Sequence, residues 1–359
     1  MGSRVMIMAG GTGGHVFPAL AVATELRNRG LDVMWLGSAG GFEERVVPEA
    51  GFSMETISIR GLRGNGLVRW LKAPFMLALA MWQALDVLRR CRPTVVLGMG
   101  GFVTGPGGVM ARLMRIPLVI HEQNAVPGMT NRLLSRIASR VLESFPGSFD
   151  VNKNVVLVGN PVRADIWQLP DPAHRMGSRT GPVRLLILGG SQGAQALNQV
   201  LPKALNKIDF STSFQVRHQA GMGKDEATAA AYSTIGVDAE VVPFISDMAE
   251  AYGWADLVIC RAGALTVSEL AASGVGAVLV PYPHAVDDHQ TLNANYLTDS
   301  GAAMLLPQSG LDYETLASTL KQLLDDRGRL LQMAQAAREL AKPMATMDVA
   351  DICEEIQLQ

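Results

Sequence analysis

The run Arg4-Val5-Met6-Ile7-Met8-Ala9-Gly10-Gly11-Thr12-Gly13-Gly14-His15, leading into Val16-Phe17-Pro18-Ala19-Leu20-Ala21-Val22-Ala23, decides the fold. A short segment that is apolar on both faces reads as a strand covered by helices on each side, and the segment after the glycines reads as the helix that follows it. Glycine lets the turn between them tighten and bring its backbone close to a ligand. The helix start presents unpaired N–H groups and a positive dipole end to an anion. That is a phosphate-binding design on a β-α unit. It is not a dinucleotide fingerprint: Val16 stands where the third glycine of G-x-G-x-x-G belongs, and Gly37 and Ser38, not an acid, close the second strand. No G-x-x-x-x-G-K-[ST] occurs, which excludes a P-loop ATPase.

Outward from this unit the pattern repeats. Strands are expected at 4–9, 32–36, 94–98, 118–121 and 155–158, with helices at 16–29 and 68–90. After a Pro- and Gly-containing stretch at 169–182 a second series begins, with strands at 184–188, 214–218, 239–243, 256–260 and 277–280. From Leu311 onward only helices are expected. Two such series in 359 residues read as an α/β chain of two Rossmann-like domains, with ligands at the strand C-termini. The boundary is expected at 160/161.

Net charge is -2 overall, but residues 1–160 carry 17 basic against 10 acidic side chains and the remainder 14 against 23. The first domain therefore suits an anionic partner. Cys91, Cys260 and Cys353 are too few and too far apart for a disulfide framework or a zinc site, which fits a reducing compartment. The first apolar run is too short for a signal peptide, so the chain is expected to stay in the cytoplasm.

Two more glycine loops follow strands: Gly98-Met-Gly-Gly-Phe102-Val-Thr-Gly105-Pro-Gly-Gly108 and Gly189-Gly-Ser191-Gln-Gly193. Three of them make phosphate or diphosphate recognition a better reading than plain turns. Titratable groups stand beside them. His15 sits at a helix start, where a core imidazole is poorly buried and where the dipole disfavours a second proton on the ring, so it suits a proton acceptor. His121-Glu122-Gln123-Asn124 ends a strand, either as a ligand site or as an ordinary β-α turn. In Cys260-Arg-Ala-Gly263-Ala264-Leu265-Thr266-Val267-Ser268-Glu269 the helix start can take a diphosphate, while Glu269 either accepts from ribose hydroxyls or is a solvated helix residue. His284, Asp287, Asp288, His289 and Gln290 form a polar turn better suited to sugar hydroxyls than to a metal, since no D-x-D motif exists.

Residues 60–90 carry Arg60, Arg63, Arg69, Lys72, Arg89 and Arg90 against one acid, Asp86, around an uncharged stretch, 73–85. As a helix that stretch reaches about 20 Å, short of the roughly 30 Å of a bilayer core. It either lies in a membrane interface, held by up to about 5 kcal/mol of electrostatic attraction, or packs on the sheet as a core helix.

Taken in order, Gly10-Gly-Thr-Gly-Gly-His15, Gly98-Met-Gly-Gly-Phe-Val-Thr-Gly-Pro106, His121-Glu-Gln-Asn124, Gly159-Asn-Pro-Val-Arg163, Gly190-Ser-Gln-Gly193, Arg261 to Glu269 and Asp288-His-Gln290 resemble the motifs of the MurG family along essentially the whole chain. These are bacterial glycosyltransferases that move N-acetylglucosamine from UDP-N-acetylglucosamine to the lipid-linked N-acetylmuramyl-pentapeptide of peptidoglycan synthesis. The resemblance implies a GT-B fold, two Rossmann-like domains facing a central cleft, with 1–160 on the acceptor and membrane side, 161–341 binding the donor, and 342–359 packing back on the first domain.

It implies donor contacts by Thr12, Gly13, Gly14, Asn124, Arg163, Ser191, Ile245, Ala264, Leu265, Thr266, Val267, Ser268, Glu269 and Gln290. It also implies a membrane face at Leu71, Lys72, Phe75, Leu79 and Trp82. Phe102 departs from the tyrosine common in the family's second loop. The chemistry requires a base for the acceptor 4-hydroxyl, for which His15 is the first candidate and Glu122 the competitor, and charge stabilisation for the leaving diphosphate, which helix starts supply without a metal. The expected partners are UDP-N-acetylglucosamine, the undecaprenyl-diphosphate-linked acceptor, an anionic membrane surface at the cytoplasmic face of the bacterial inner membrane and other cell-wall synthesis proteins, with no nucleic acid and no cofactor beyond the donor. The competing readings are a UDP-sugar 2-epimerase, which needs no membrane face, and a non-catalytic nucleotide-sugar sensor.

Overall fold

The computed structural model describes residues 3–59, 67–150, 154–190, 193–208 and 213–357, without the side chains of 67–72 and 286. Ser191, Arg60 and Arg63 lie outside the described residues, as do the side chains of Leu71 and Lys72. The chain forms two compact units, Met1–Arg163 with Lys342–Gln359, and Ala164–Ala341.

The first unit runs β1 (Arg4–Met8), α1 (Gly13–Asn28), β2 (Asp32–Ser38), α2 (Glu43–Glu49), β3 (Ser53–Ile57), α3 (Leu67–Cys91), β4 (Val95–Gly98), α4 (Thr104–Leu113), β5 (Leu118–Glu122), α5 (Met129–Leu134), β6 (Arg140–Glu143) and β7 (Val155–Leu157). The second runs α6 (Ala164–Trp167), α7 (Pro172–Met176), β8 (Val183–Leu188), α8 (Gln195–Lys207), β9 (Phe214–Gln219), α9 (Asp225–Thr234), β10 (Ala239–Val242), α10 (Met248–Trp254), β11 (Leu257–Cys260), α11 (Ala264–Ser273), β12 (Gly276–Leu279), α12 (His289–Thr298), β13 (Ala303–Leu305), α13 (Tyr313–Leu324) and α14 (Arg327–Glu339), before α15 (Ala345–Gln357) returns to the first unit.

The strand orders are β3-β2-β1-β4-β5-β6-β7 and β10-β9-β8-β11-β12-β13, and every described pairing is parallel. Each sheet reverses its winding beside its first strand, between β1 and β4 and between β8 and β11. At such a switch point the loops leaving two neighbouring strands diverge and open a crevice.

Alternation along β1 explains why its sequence is apolar throughout. Val5 and Ile7 pack with α1 and α15 through Val16, Leu26, Val349 and Cys353, whereas Met6 and Met8 pack with α3 and α4 through Ala80, Leu88 and Ala111. Arg29 fastens α15 to α1 through ion pairs to Asp351 and Glu354. Three strands escape the sequence reading. β3 and β6 carry Glu55 and Glu143 inside short runs, and β13 has three residues, so none shows an apolar stretch of recognisable length.

Candidate active site

Glycine loop one leaves β1 and enters α1 at Thr12, whose extended backbone starts the helix without a side-chain cap. Gly11, Thr12 and Gly14 are exposed, so the helix start faces solvent. A buried acid that sequence reasoning missed holds this loop: Glu43 is fully buried and accepts from Gly11 N at 3.0 Å and Ser38 N at 2.8 Å. A Cβ on Gly10 would lie 2.3 Å from its Oε1, and one on Gly41 2.5 Å away. The signal lay in those glycines, which read as turn residues until the acid beneath them is seen.

Glycine loop two, after β4, comes against loop one. A Cβ at Gly101 (φ +87°) would stand 2.4 Å from the Gly10 carbonyl oxygen, and one at Gly100 (φ +103°) 2.6 Å from Nδ1 of His15. The absence of side chains there leaves room for the imidazole. His15 is half-buried, and its Nδ1 lies 2.9 Å from Oε1 of Gln123, just past the end of β5. Gln123 Nε2 donates to Met99 O at 2.9 Å and lies 3.1 Å from Nδ1 of His121, whose Nε2 lies 2.9 Å from Gly159 O. His121 is fully buried, and that desolvation, reinforced by the neighbouring His15, holds its imidazole down to about 4.

Glu122, the competing candidate for the base, ends β5. It is 2 % exposed, and its carboxylate accepts from Asn124 N, Asn124 Nδ2, Gly128 N and Asn131 Nδ2 at 2.9–3.2 Å. A carboxylate with four donors and so little solvent holds its loop together and has few lone-pair positions left over. Asn124 is thereby turned back onto Glu122. Arg163 ends the first unit, its guanidinium 5.8 Å from the Phe17 ring centroid.

In the second unit, glycine loop three leaves β8 close against the backbone of the next strand end: a Cβ at Gly193 (φ +71°) would lie 2.1 Å from Ala220 O. Across the switch point, α11 starts at Gly263 without a side-chain cap. Ala264 and Val267 are buried and offer only backbone at this start, while Leu265, Thr266 and Ser268 are half-buried. Ser268 Oγ donates back to Ala264 O. Glu269 corrects the solvated-helix alternative, being 6 % exposed with its Oε2 accepting from the Tyr252 hydroxyl at 3.0 Å. Gln290 Oε1 accepts from Tyr282 N, and Ile245 stands half-buried between β10 and α10. An open groove of about 550 Å³ lined by Asp165, Gln168, Leu169, Ser246, Asp247, Ala249 and Glu250 holds none of the predicted site residues, and its three acids would repel a diphosphate. Among the described residues no cluster of three or more His, Cys, Asp or Glu is placed to hold a metal ion.

On α3 the apolar stretch divides into a buried face and an exposed one. Ala80, Ala84, Val87 and Leu88 are buried, while Phe75 is 80 % and Trp82 65 % exposed, with Leu79 exposed beside them. Leu113 on α4 and Met129 and Leu133 on α5 are exposed large apolar residues that the sequence reading did not single out. No described helix is long and apolar enough to cross a membrane.

The N-terminal domain of glycosyltransferase family 28 matches residues 5–143 and its C-terminal domain residues 184–355. A protein of Marinobacter nauticus named UDP-N-acetylglucosamine–N-acetylmuramyl-(pentapeptide) pyrophosphoryl-undecaprenol N-acetylglucosamine transferase is 56% identical over 98% of this chain and 97% of its own. A protein of Alkalilimnicola ehrlichii with the same name is 57% identical over 98% of each chain. The crystal structure of Acinetobacter baumannii MurG is 45% identical over 98% of this chain and 99% of its own, with a TM-score of 0.86. The chain belongs to the MurG family of glycosyltransferases. A UDP-N-acetylglucosamine 2-epimerase structure also superposes, with a TM-score of 0.68, but at 14% identity it shares with this MurG-family chain the fold alone. Five of the seven MurG-family motifs fall on the C-terminal ends of β1, β4, β5, β8 and β11, while Gly159–Arg163 follows β7 and Asp288–Gln290 lies at the start of α12, after β12.

Proposed function

We propose that the chain transfers N-acetylglucosamine from UDP-N-acetylglucosamine to the 4-hydroxyl of undecaprenyl-diphosphate-linked N-acetylmuramyl-pentapeptide, with inversion at the anomeric carbon. The observation that carries this reading is full-length identity of 56–57% to transferases of that name, on a chain whose one half-exposed loop imidazole beside the glycines, His15, is held at a helix start. The acceptor oxygen attacks C1 of the donor sugar as the bond from C1 to the diphosphate oxygen breaks. His15 takes the hydroxyl proton, and UDP leaves with the bonding electrons. The uncapped starts of α1 and α11 supply N–H donors and positive dipole ends for diphosphate charge, so the reading requires no metal ion.

The first unit takes the acceptor, while Thr12, Gly13 and Gly14 at its helix start belong to the donor contacts that the family resemblance implies. The second takes the donor through loop three, Ile245, the α11 start with Glu269, and Gln290. Asn124 and Arg163 complete the donor set. The exposed Phe75, Leu79 and Trp82 of α3 attach the protein reversibly to the cytoplasmic face of the inner membrane, alongside the basic residues of 60–90. The test is transfer of sugar label from UDP-N-acetylglucosamine to the lipid-linked acceptor by purified protein, with and without chelator. Label entering the lipid fraction equally in both is expected. Transfer abolished by chelator would remove the metal-independent part, and no transfer with donor still bound would remove the transferase reading.

A further inference from the structure

The imidazole of His15 has two neutral tautomers, and only one of them leaves Nε2 with a lone pair. We propose that Gln123, itself oriented by His121 and Met99, is a positioning residue that fixes His15 in the Nδ1–H tautomer and so keeps Nε2 open as the proton acceptor. This deepens the transferase reading and rests on it for its catalytic consequence, though not for the tautomer itself.

The argument runs through hydrogen-bond polarity along one chain of groups. The Gly159 carbonyl oxygen can only accept, so at 2.9 Å the His121 Nε2 carries the hydrogen and donates to it. A neutral imidazole has one hydrogen, so His121 Nδ1 is an acceptor. Burial keeps that ring neutral, down to about 4. The acceptor Nδ1 faces Gln123 at 3.1 Å and calls for the amide NH2 there. Met99 O, 2.9 Å from the same nitrogen, calls for it independently. With both amide hydrogens committed, the Gln123 Oε1 must point the other way, to His15 Nδ1 at 2.9 Å. An amide oxygen only accepts, so His15 Nδ1 donates.

Reversing the amide would set its oxygen against two acceptors, Met99 O and His121 Nδ1, in a site where Gln123 is 1 % exposed and water cannot repair the loss. Gly100 closes the remaining freedom, because the space its missing side chain leaves is filled by the His15 ring. When Nε2 takes a proton, the same Nδ1–H bond to Gln123 persists, so the site needs no rearrangement between the two protonation states. Glu43 at the start of α2 and Glu122 at the end of β5, both buried acids, are turned onto backbone N–H groups, and neither bonds to the ring.

The test reads the tautomer directly in ligand-free, full-length protein. Long-range 1H–15N correlation spectra of 15N-histidine-labelled protein, with His15→Asn used to assign the His15 signals among six histidines, report which ring nitrogen carries the hydrogen. The expected result is a pyrrole-type Nδ1 and a pyridine-type Nε2 in the wild type, and a shift toward the Nε2–H form in Gln123→Met, with kcat reduced about tenfold and the donor KM within about twofold. A wild-type His15 found mainly as Nε2–H would overturn the proposal, whether or not the variant folds. An unchanged tautomer in Gln123→Met would overturn it as well. Failure of the transferase reading is seen separately, as absent label transfer in wild type, and leaves the tautomer measurement standing.

Discussion

Each of the two units buries an imidazole on a strand, and the two are bonded differently. His121 of β5 and His218 of β9 are both fully buried, and desolvation holds them down to about 4 and about 3. Both are also bonded through both ring nitrogens. His218 reaches Tyr232 Oη at 2.9 Å and Asn198 Oδ1 at 3.1 Å, each partner buried in turn, and among the described residues Asn198 passes the contact on to Ala220 O. His121 reaches Gly159 O and, through Gln123, the half-buried His15. The first network is closed on itself and the second ends at a ring that solvent reaches. Burial alone therefore does not distinguish a strut from a relay. What distinguishes them is whether the last member of the chain of hydrogen bonds has a face left over for a substrate.

The largest effect that would sharpen this comparison is on turnover. His15→Ala is expected to lower kcat at least about 100-fold, the range of a lost acid–base group, while donor affinity measured by calorimetry stays close to wild type. Near-normal turnover would place the base elsewhere.

A smaller effect tests the two buried rings together. Both have folded values below the roughly 6.5 of an unfolded histidine, so between about 6.5 and about 4 the unfolded chain binds more protons than the folded one. Stability is thus whole above that window and is lost as pH falls through it, by up to about 1.4 kcal/mol per histidine per pH unit. Urea midpoints measured from pH 7 to pH 4.5 should fall, and His218→Gln should flatten the slope. An unchanged slope would mean that the ring is not held neutral.

The smallest effect separates the networks by function. Tyr232→Phe removes the hydroxyl that meets His218 Nδ1 and leaves a buried nitrogen unpaired, at a cost of about 1 kcal/mol or slightly more. Turnover should stay within about twofold of wild type at a temperature where the variant is folded. A large fall in kcat with stability intact would show that the closed network also serves the site.

Much of the fold is legible in the chain because its signals are local. The 4–9 run, the glycines after it and the helical pattern beyond can be read without knowing what else is near, and the same holds at 184–188 and 256–260. β3, β6 and β13 are not legible because their neighbours in the sheet, not their own residues, make them strands. The site divides the same way. His15 stands out by its position after a glycine loop. The roles of Glu122 and Glu269 do not, because a carboxylate in a sequence carries no sign of how many donors will surround it. Gln123 was visible only as a member of a polar turn, and Glu43 not at all.

By itself the sequence determined the succession of parallel strands and helices, the three glycine turns that need a missing side chain and the family to which the chain belongs. These depend on periodicity, backbone freedom and motif order, which are properties of neighbouring residues. Only the tertiary structure decided which polar groups lost their water and whom they met instead. The carboxylate of Glu43 lies 32 residues from the glycine it holds, and Gln123 lies 108 from the imidazole it faces. Hydrogen-bond polarity in a dry site is set by partners that far apart in the chain, and only folding brings them within 3 Å.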